Sequence, residues 1–116
     1  MAAPPLAARL AHITEAINSL EGMWSDKLLK DYLTDPIRAA ATERFLEKIC
    51  EAAKHIPEEQ KTHHSEVPWV EIRGLGNRLR HGYETIDPEV IWDIVCKDLG
   101  PLKAAVGKIL QRAGGA

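Results

Sequence analysis

PWVEIRGLGNRLRHGY, residues 68–83, is the stretch on which the fold turns. Trp69, Ile72, Leu75 and Leu79 recur at intervals of three and four, the period of one face of an α-helix. This spacing predicts a helix from about Pro68 to His81. Gly74 and Gly76 lie inside it, and each costs a helix about 1 kcal/mol relative to alanine. Two such glycines in one helix point to a place where another backbone approaches closely. The end of the helix is basic, with Arg73, Arg78, Arg80 and His81.

Upstream, Pro57 to Pro68 is polar and holds two prolines, which predicts a loop with room for one helical turn. His63 and His64 are adjacent, so on a helix their side chains diverge by about 100°. No cysteine or further histidine follows at ligand spacing, so they read as exposed loop histidines and not as a metal site. Before this loop, a helix is expected from Thr34 or Asp35, with Pro36 in its first turn, to about His55. Phe45, Leu46, Ile49, Ala52, Ala53 and Ile56 make its apolar stripe. Arg44, Lys48 and Glu51 share a neighbouring face, which suggests solvated ion pairing along the helix, the alternative being a polar contact with a second subunit. Residues Ser25 to Leu33 form a short turn or helical link. The first helix runs from about Pro5 to Met23, with Leu6, Leu10, Ile13, Ile17 and Leu20 on one face. Pro4 and Pro5 suit its start, and Gly22 lies near its end.

Downstream, Asp87–Pro88–Glu89 combines an N-cap, a proline at N1 and an acid in the first turn. The helix it opens carries Val90, Ile91, Ile94, Val95 and Leu99. Gly100–Pro101 should kink or break it, after which Leu102, Ala105, Val106, Ile109 and Leu110 resume the apolar pattern. No segment shows the period-two alternation of a strand. The expected fold is all-α: an antiparallel bundle of four main helices in a single domain over residues 1–116.

Composition narrows the function classes. The net charge is −2, with 45% hydrophobic and 28% charged residues. Such a chain has no global attraction to nucleic acid or anionic lipid, so any RNA contact must come from a local basic patch. No apolar run approaches the roughly 20 residues that span a bilayer, and the start shows no signal-peptide pattern. Cys50 and Cys96 are far apart in apolar helical patterns and read as buried free thiols in a reducing, cytoplasmic compartment.

The chemistry gathers at the end of the 68–83 stretch, in Asn77, Arg78, Arg80, His81 and Tyr83. Histidine transfers protons near neutrality, and the arginine fork fits phosphate. His and Arg without a carboxylate cluster suit metal-independent RNA cleavage. There the ribose 2′-OH attacks the adjacent phosphate while Arg stabilises the developing charge. A plainer reading of the same residues also stands. Arg78 and Arg80 are favoured at a helix C-terminus by its dipole, His81 is a C-cap residue and Tyr83 anchors a loop.

Over roughly residues 6–110 the sequence resembles the HepT-like toxin family of the HEPN superfamily. The matching pieces are Ala41 to Leu46, Ile49 to Ala53, Val67–Pro68–Trp69, Asn77 to Tyr83, Asp87 to Trp92 and Asp98–Leu99. The resemblance implies a dimeric helical bundle that cleaves RNA without metal or cofactor, with the family's motif histidine at His81. It implies a nucleotidyltransferase antitoxin as partner, and attachment of AMP to the motif tyrosine, Tyr83, as the silencing step. On this basis His81 is the expected acid/base, Arg78 or Arg73 the phosphate cation, Asn77 an orienting residue and Arg80 a further RNA contact. The chain departs from the family pattern at one place, because the arginine that usually precedes the asparagine is Gly76 here. Seven residues separate Arg73 from His81, one more than the motif allows, and only two separate Arg78 from it. This departure supports a second reading: a non-catalytic HEPN module that binds a nucleotide or a protein. A helical interaction protein is a third.

Overall fold

A computed structural model describes residues 5–81 and 86–113. Helix occupies 81% of them and no strand occurs among them, so the all-α expectation holds. The elements are α1 (Leu6–Trp24), α2 (Leu29–Leu33), α3 (Pro36–Ala53), α4 (Glu58–Thr62), α5 (Trp69–His81), α6 (Pro88–Lys97) and α7 (Leu99–Ala113).

α1 is the central element, packed against α3 on one side and α7 on the other. Its stripe of Leu10, Ile13, Ile17 and Leu20 is fully buried. Side chains three and four apart share one face of a helix, so these four form one continuous apolar ridge. Leu46 and Ile49 of α3, and Leu102, Val106 and Ile109 of α7, close the core around that ridge. Trp24, Tyr32 and Trp92 add an aromatic cluster with ring centroids 5.2–5.8 Å apart, which ties α2 and α6 to the end of α1. Trp24 also donates its indole N–H to Thr42 Oγ1 at 2.8 Å, and Thr42 in turn donates to the Arg38 carbonyl at 2.8 Å. Thr42 is fully buried, a polar core residue that the apolar stripe of α3 did not announce.

Aspartate caps the starts of both α3 and α6, Asp87 as the sequence indicated and Asp35 out of the two candidate starts Thr34 and Asp35. Asp35 accepts from the Arg38 N–H at 3.0 Å, and Asp87 accepts from the Glu89 N–H at 2.9 Å. Each satisfies one of the donors that a helix start leaves unpaired. The break expected at Gly100–Pro101 comes earlier, at Asp98, and its cause is still Pro101. Proline has no N–H to give the Lys97 carbonyl and clashes with it, so α6 stops at Lys97 and Pro101 falls in the first turn of α7. α1 runs through Gly22 to Trp24, and the left-handed residue beyond it is Asp26, at φ 60°.

Four expectations are corrected. Gly74 is not a contact position, since a Cβ there would meet nothing within 4 Å. His64 is buried at 4% exposure, with Nδ1 3.6 Å from the Glu66 carboxylate, because the Pro57–Pro68 segment folds back on itself around α4. Cys96 lies on the exposed side of α6, and only Cys50 is a buried thiol. Glu51 does not pair with Arg44 or Lys48. Arg44 pairs with Glu47 at 3.2 Å, while Glu51 reaches across to α5.

Candidate functional site

α5 carries the site, and its main partner in the fold is α3. Ile72, Leu75 and Gly76 are buried in that contact, with Trp69 and Leu79 half-buried beside them. The tightest point is Gly76. A Cβ built there would lie 2.7 Å from the Cβ of Cys50, closer than two carbons can stand without moving a helix. The glycine is therefore what lets α5 lie this close to α3; of the two interior glycines expected to allow a close approach, Gly76 does so and Gly74 does not. The same contact buries the Cys50 thiol and, with a smaller push from Glu47, raises its pKa to about 12. Cys50 is accordingly a neutral packing group at physiological pH and not a thiolate nucleophile.

At about 100° and 1.5 Å per residue, the motif side chains fan around the side of α5 away from α3. Asn77 and His81 lie about 40° apart on one exposed stripe that also holds Val70 and Gly74. Arg73 and Arg80 flank this stripe on one side and Arg78 flanks it on the other; all of these side chains are exposed. Arg80 is not a mobile cation, since its Nη2 sits 2.6 Å from Glu51 Oε2. Glu51 also lies 3.9 Å from Lys54 Nζ and 3.6 Å from His55 Nε2, so it holds a small surface network together. Arg73 and Arg78 form no ion pair among the described residues. Tyr83, the expected modification site, lies outside the described residues.

Sequence reasoning missed what surrounds the Arg73 flank. A cavity of about 230 Å³ opens between the end of α3, α4 and α5. Cys50, Ile72 and Gly76 line its inner part, and Lys54, Lys61, Arg73, Asn77 and Arg80 contribute its polar groups. Lys61 stands 5.7 Å from the Trp69 ring centroid, and the Trp69 indole N–H donates to the His64 carbonyl at 3.0 Å. Lys54 and Lys61 come from elements that looked like a helix end and a loop. Lys54, at the end of α3, is carried to α5 by the packing of those two helices, and Lys61 comes with α4. A second, wider groove of about 750 Å³ runs between α1 and α3, with Arg9, His12, Arg44, Phe45, Lys48 and Glu51 among its lining, and Arg80 borders both spaces. Among the described residues, no group of three or more His, Cys, Asp or Glu side chains is placed to hold a metal ion.

A short all-helical chain with a polar motif closing one exposed helix is thus the frame into which the comparisons fall. The family model described as "Ribonuclease HepT-like" matches residues 13–109. The chain belongs to this family. It is 35% identical over 103 residues to a "Putative RNase" of Caldanaerobacter subterraneus subsp. tengcongensis, covering 89% of this chain and 92% of that protein. It is 36% identical over 100 residues to a "Probable ribonuclease HepT" of Thermococcus cleftensis, covering 86% and 91% respectively. No solved structure matches it.

Proposed function

We propose that this chain is a HepT-type toxin, a single-domain endoribonuclease over residues 1–116 that cuts RNA without a metal and is held in check by a nucleotidyltransferase antitoxin. The observation that carries the reading is the join of family membership to an exposed His81 at the end of α5, with Arg78 on the adjoining flank. In this reading His81 accepts the proton of a ribose 2′-OH. The 2′-oxygen forms a bond to the adjacent phosphorus, the bond to the 5′-oxygen breaks, and that oxygen leaves with a proton. The products are a 2′,3′-cyclic phosphate end and a 5′-hydroxyl end. Arg78 supplies charge to the phosphorane-like transition state. Arg78 suits this better than Arg73, because it lies about 4.5 Å along the helix from His81 and Arg73 about 12 Å. Asn77 orients the phosphate or the imidazole, and Arg80, tied to Glu51, fixes the helix end and adds to the positive field.

One histidine is a thin set for a reaction that both removes and returns a proton. The stripe Val70–Gly74–Asn77–His81 is solvent-exposed, with Val70 81% exposed. It suits isologous packing of two copies of α5, which would set two motifs side by side. Tyr83, two residues beyond His81, is the proposed acceptor of AMP from the antitoxin. An added nucleotide would oppose RNA there by charge and by volume.

The test is cleavage of RNA in EDTA by the purified chain. Cleavage that leaves 2′,3′-cyclic phosphate and is lost in His81→Ala is the expected result; a need for added Mg²⁺ overturns the mechanism. A second reading, a non-catalytic nucleotide- or protein-binding module, is favoured by one observation: Gly76 occupies the family's usual arginine position and is held against Cys50. Complete inactivity of a folded wild-type chain would select it.

A further inference from the structure

The cavity between α3, α4 and α5 gathers charge against the trend of the molecule. The chain has 17 acids and 15 Lys plus Arg. Yet Lys54, Lys61, Arg73 and Arg80 all line this one space, with Glu58 as the acid among its lining residues. Glu51 offsets part of that charge from outside the lining, through Arg80 at 2.6 Å and Lys54 at 3.9 Å. Lys61 and Arg73 form no ion pair among the described residues, and Lys61 also stands over the Trp69 ring. The inner lining is neutral, and the Cys50 thiol stays protonated there, so nothing at that end repels an anion. Asn77 adds an amide donor.

We propose that this cavity is a phosphate subsite, with Lys61 and Arg73 as its principal cations and Asn77 as a neutral donor. Its volume of about 230 Å³ is below the 300–1,000 Å³ typical of small-molecule pockets. It takes a phosphate with part of its sugar and not a dinucleotide. Two sources carry that group: a phosphodiester of an RNA strand, next to the one presented to His81, or the phosphate of a free mononucleotide. The first source rests on the ribonuclease reading; the second does not.

Binding is measured with three probes: a 2′-O-methyl RNA oligonucleotide, which lacks the attacking hydroxyl and cannot be cut, AMP, and inorganic phosphate. Wild type is compared with Lys61→Gln/Arg73→Gln and with Lys54→Gln, each checked for an unchanged thermal midpoint. The double variant should bind at least about tenfold more weakly, and its salt dependence on the oligonucleotide should be shallower by about 1.4, at 0.7 per cation for a single strand. Loss confined to the oligonucleotide assigns the subsite to RNA; loss with AMP and phosphate as well assigns it to a free nucleotide. Equal affinities for wild type and double variant on every probe, or no wild-type binding to any, overturns the proposal. The two readings fail separately. A chain that binds in this way yet never cuts RNA loses only the ribonuclease reading. A chain that cuts RNA but binds all three probes unchanged in the double variant loses only the subsite.

Discussion

Gly76 gives up helix propensity and gains proximity. Gly76→Ala would set two Cβ atoms 2.7 Å apart, and neither belongs to the free end of a side chain. The expected cost is about 1–3 kcal/mol, the range for overpacked cores, read as a lower urea midpoint. Cys50→Ala should not rescue it, because the clash is with the Cβ and not the sulfur. Cys50→Gly should, giving a favourable coupling in a double-mutant cycle. The sequence reading gave both glycines the same role, although helix geometry puts Gly76 on the face of Ile72 and Leu79 and Gly74 on the opposite one. What could not be read there was which residue of the neighbouring helix would meet it. Tyr32 gives a second test at this scale. Burial, then the nearby Glu43 charge, raises its pKa from 10.0 to about 12. A phenol whose folded pKa lies above its unfolded one contributes stability that is full below about pH 10 and lost as pH climbs to about 12, some 3 kcal/mol at about 1.4 per unit. In Tyr83→Phe protein Tyr32 is the sole tyrosine, so its ultraviolet titration should be delayed to about pH 12 or coincide with unfolding. A midpoint near 10 in folded protein would refute the burial argument.

Between elements, the bond from Trp24 to Thr42 is the polar clamp of α1 on α3. Thr42→Val keeps the shape and leaves a buried indole N–H unpaired, at a cost of about 1–3 kcal/mol. Trp24→Phe/Thr42→Val removes both partners, so the two losses should sum to more than the double variant shows. Chemical denaturation of the three variants measures this. Helix starts were the most legible feature of the chain, since Asp–Pro at 35–36 and at 87–88 carries its own physics in adjacent residues. α1 was legible because its stripe, Leu6 to Leu20, repeats through about four turns. α4 was not, because five residues give no period. Beyond it His64 is buried, and Lys61 on α4 stands over Trp69. The motif on α5 was visible as a cluster of residue types. The cavity beside it was not, since its cations are scattered from Lys54 to Arg80 and meet only in the folded chain.

At the scale of the whole molecule, a helix with one face on α3 and an exposed stripe on the other invites a second copy. Light scattering at tens of micromolar, where only weak interfaces dissociate, should report a dimer. A charge placed on the stripe by Val70→Glu should shift it toward monomer without loss of helix. A wild-type monomer at that concentration would end the two-fold reading of the site. The contact of Gly76 with Cys50 also bears on how such a chain can change over generations. A substitution at position 76 toward the arginine that the family resemblance implies there would still begin with a Cβ. Every residue except glycine places a Cβ at position 50 as well. A charged side chain at position 76 is thus locked out by its neighbour, and it fits without a clash only once position 50 has itself become a glycine.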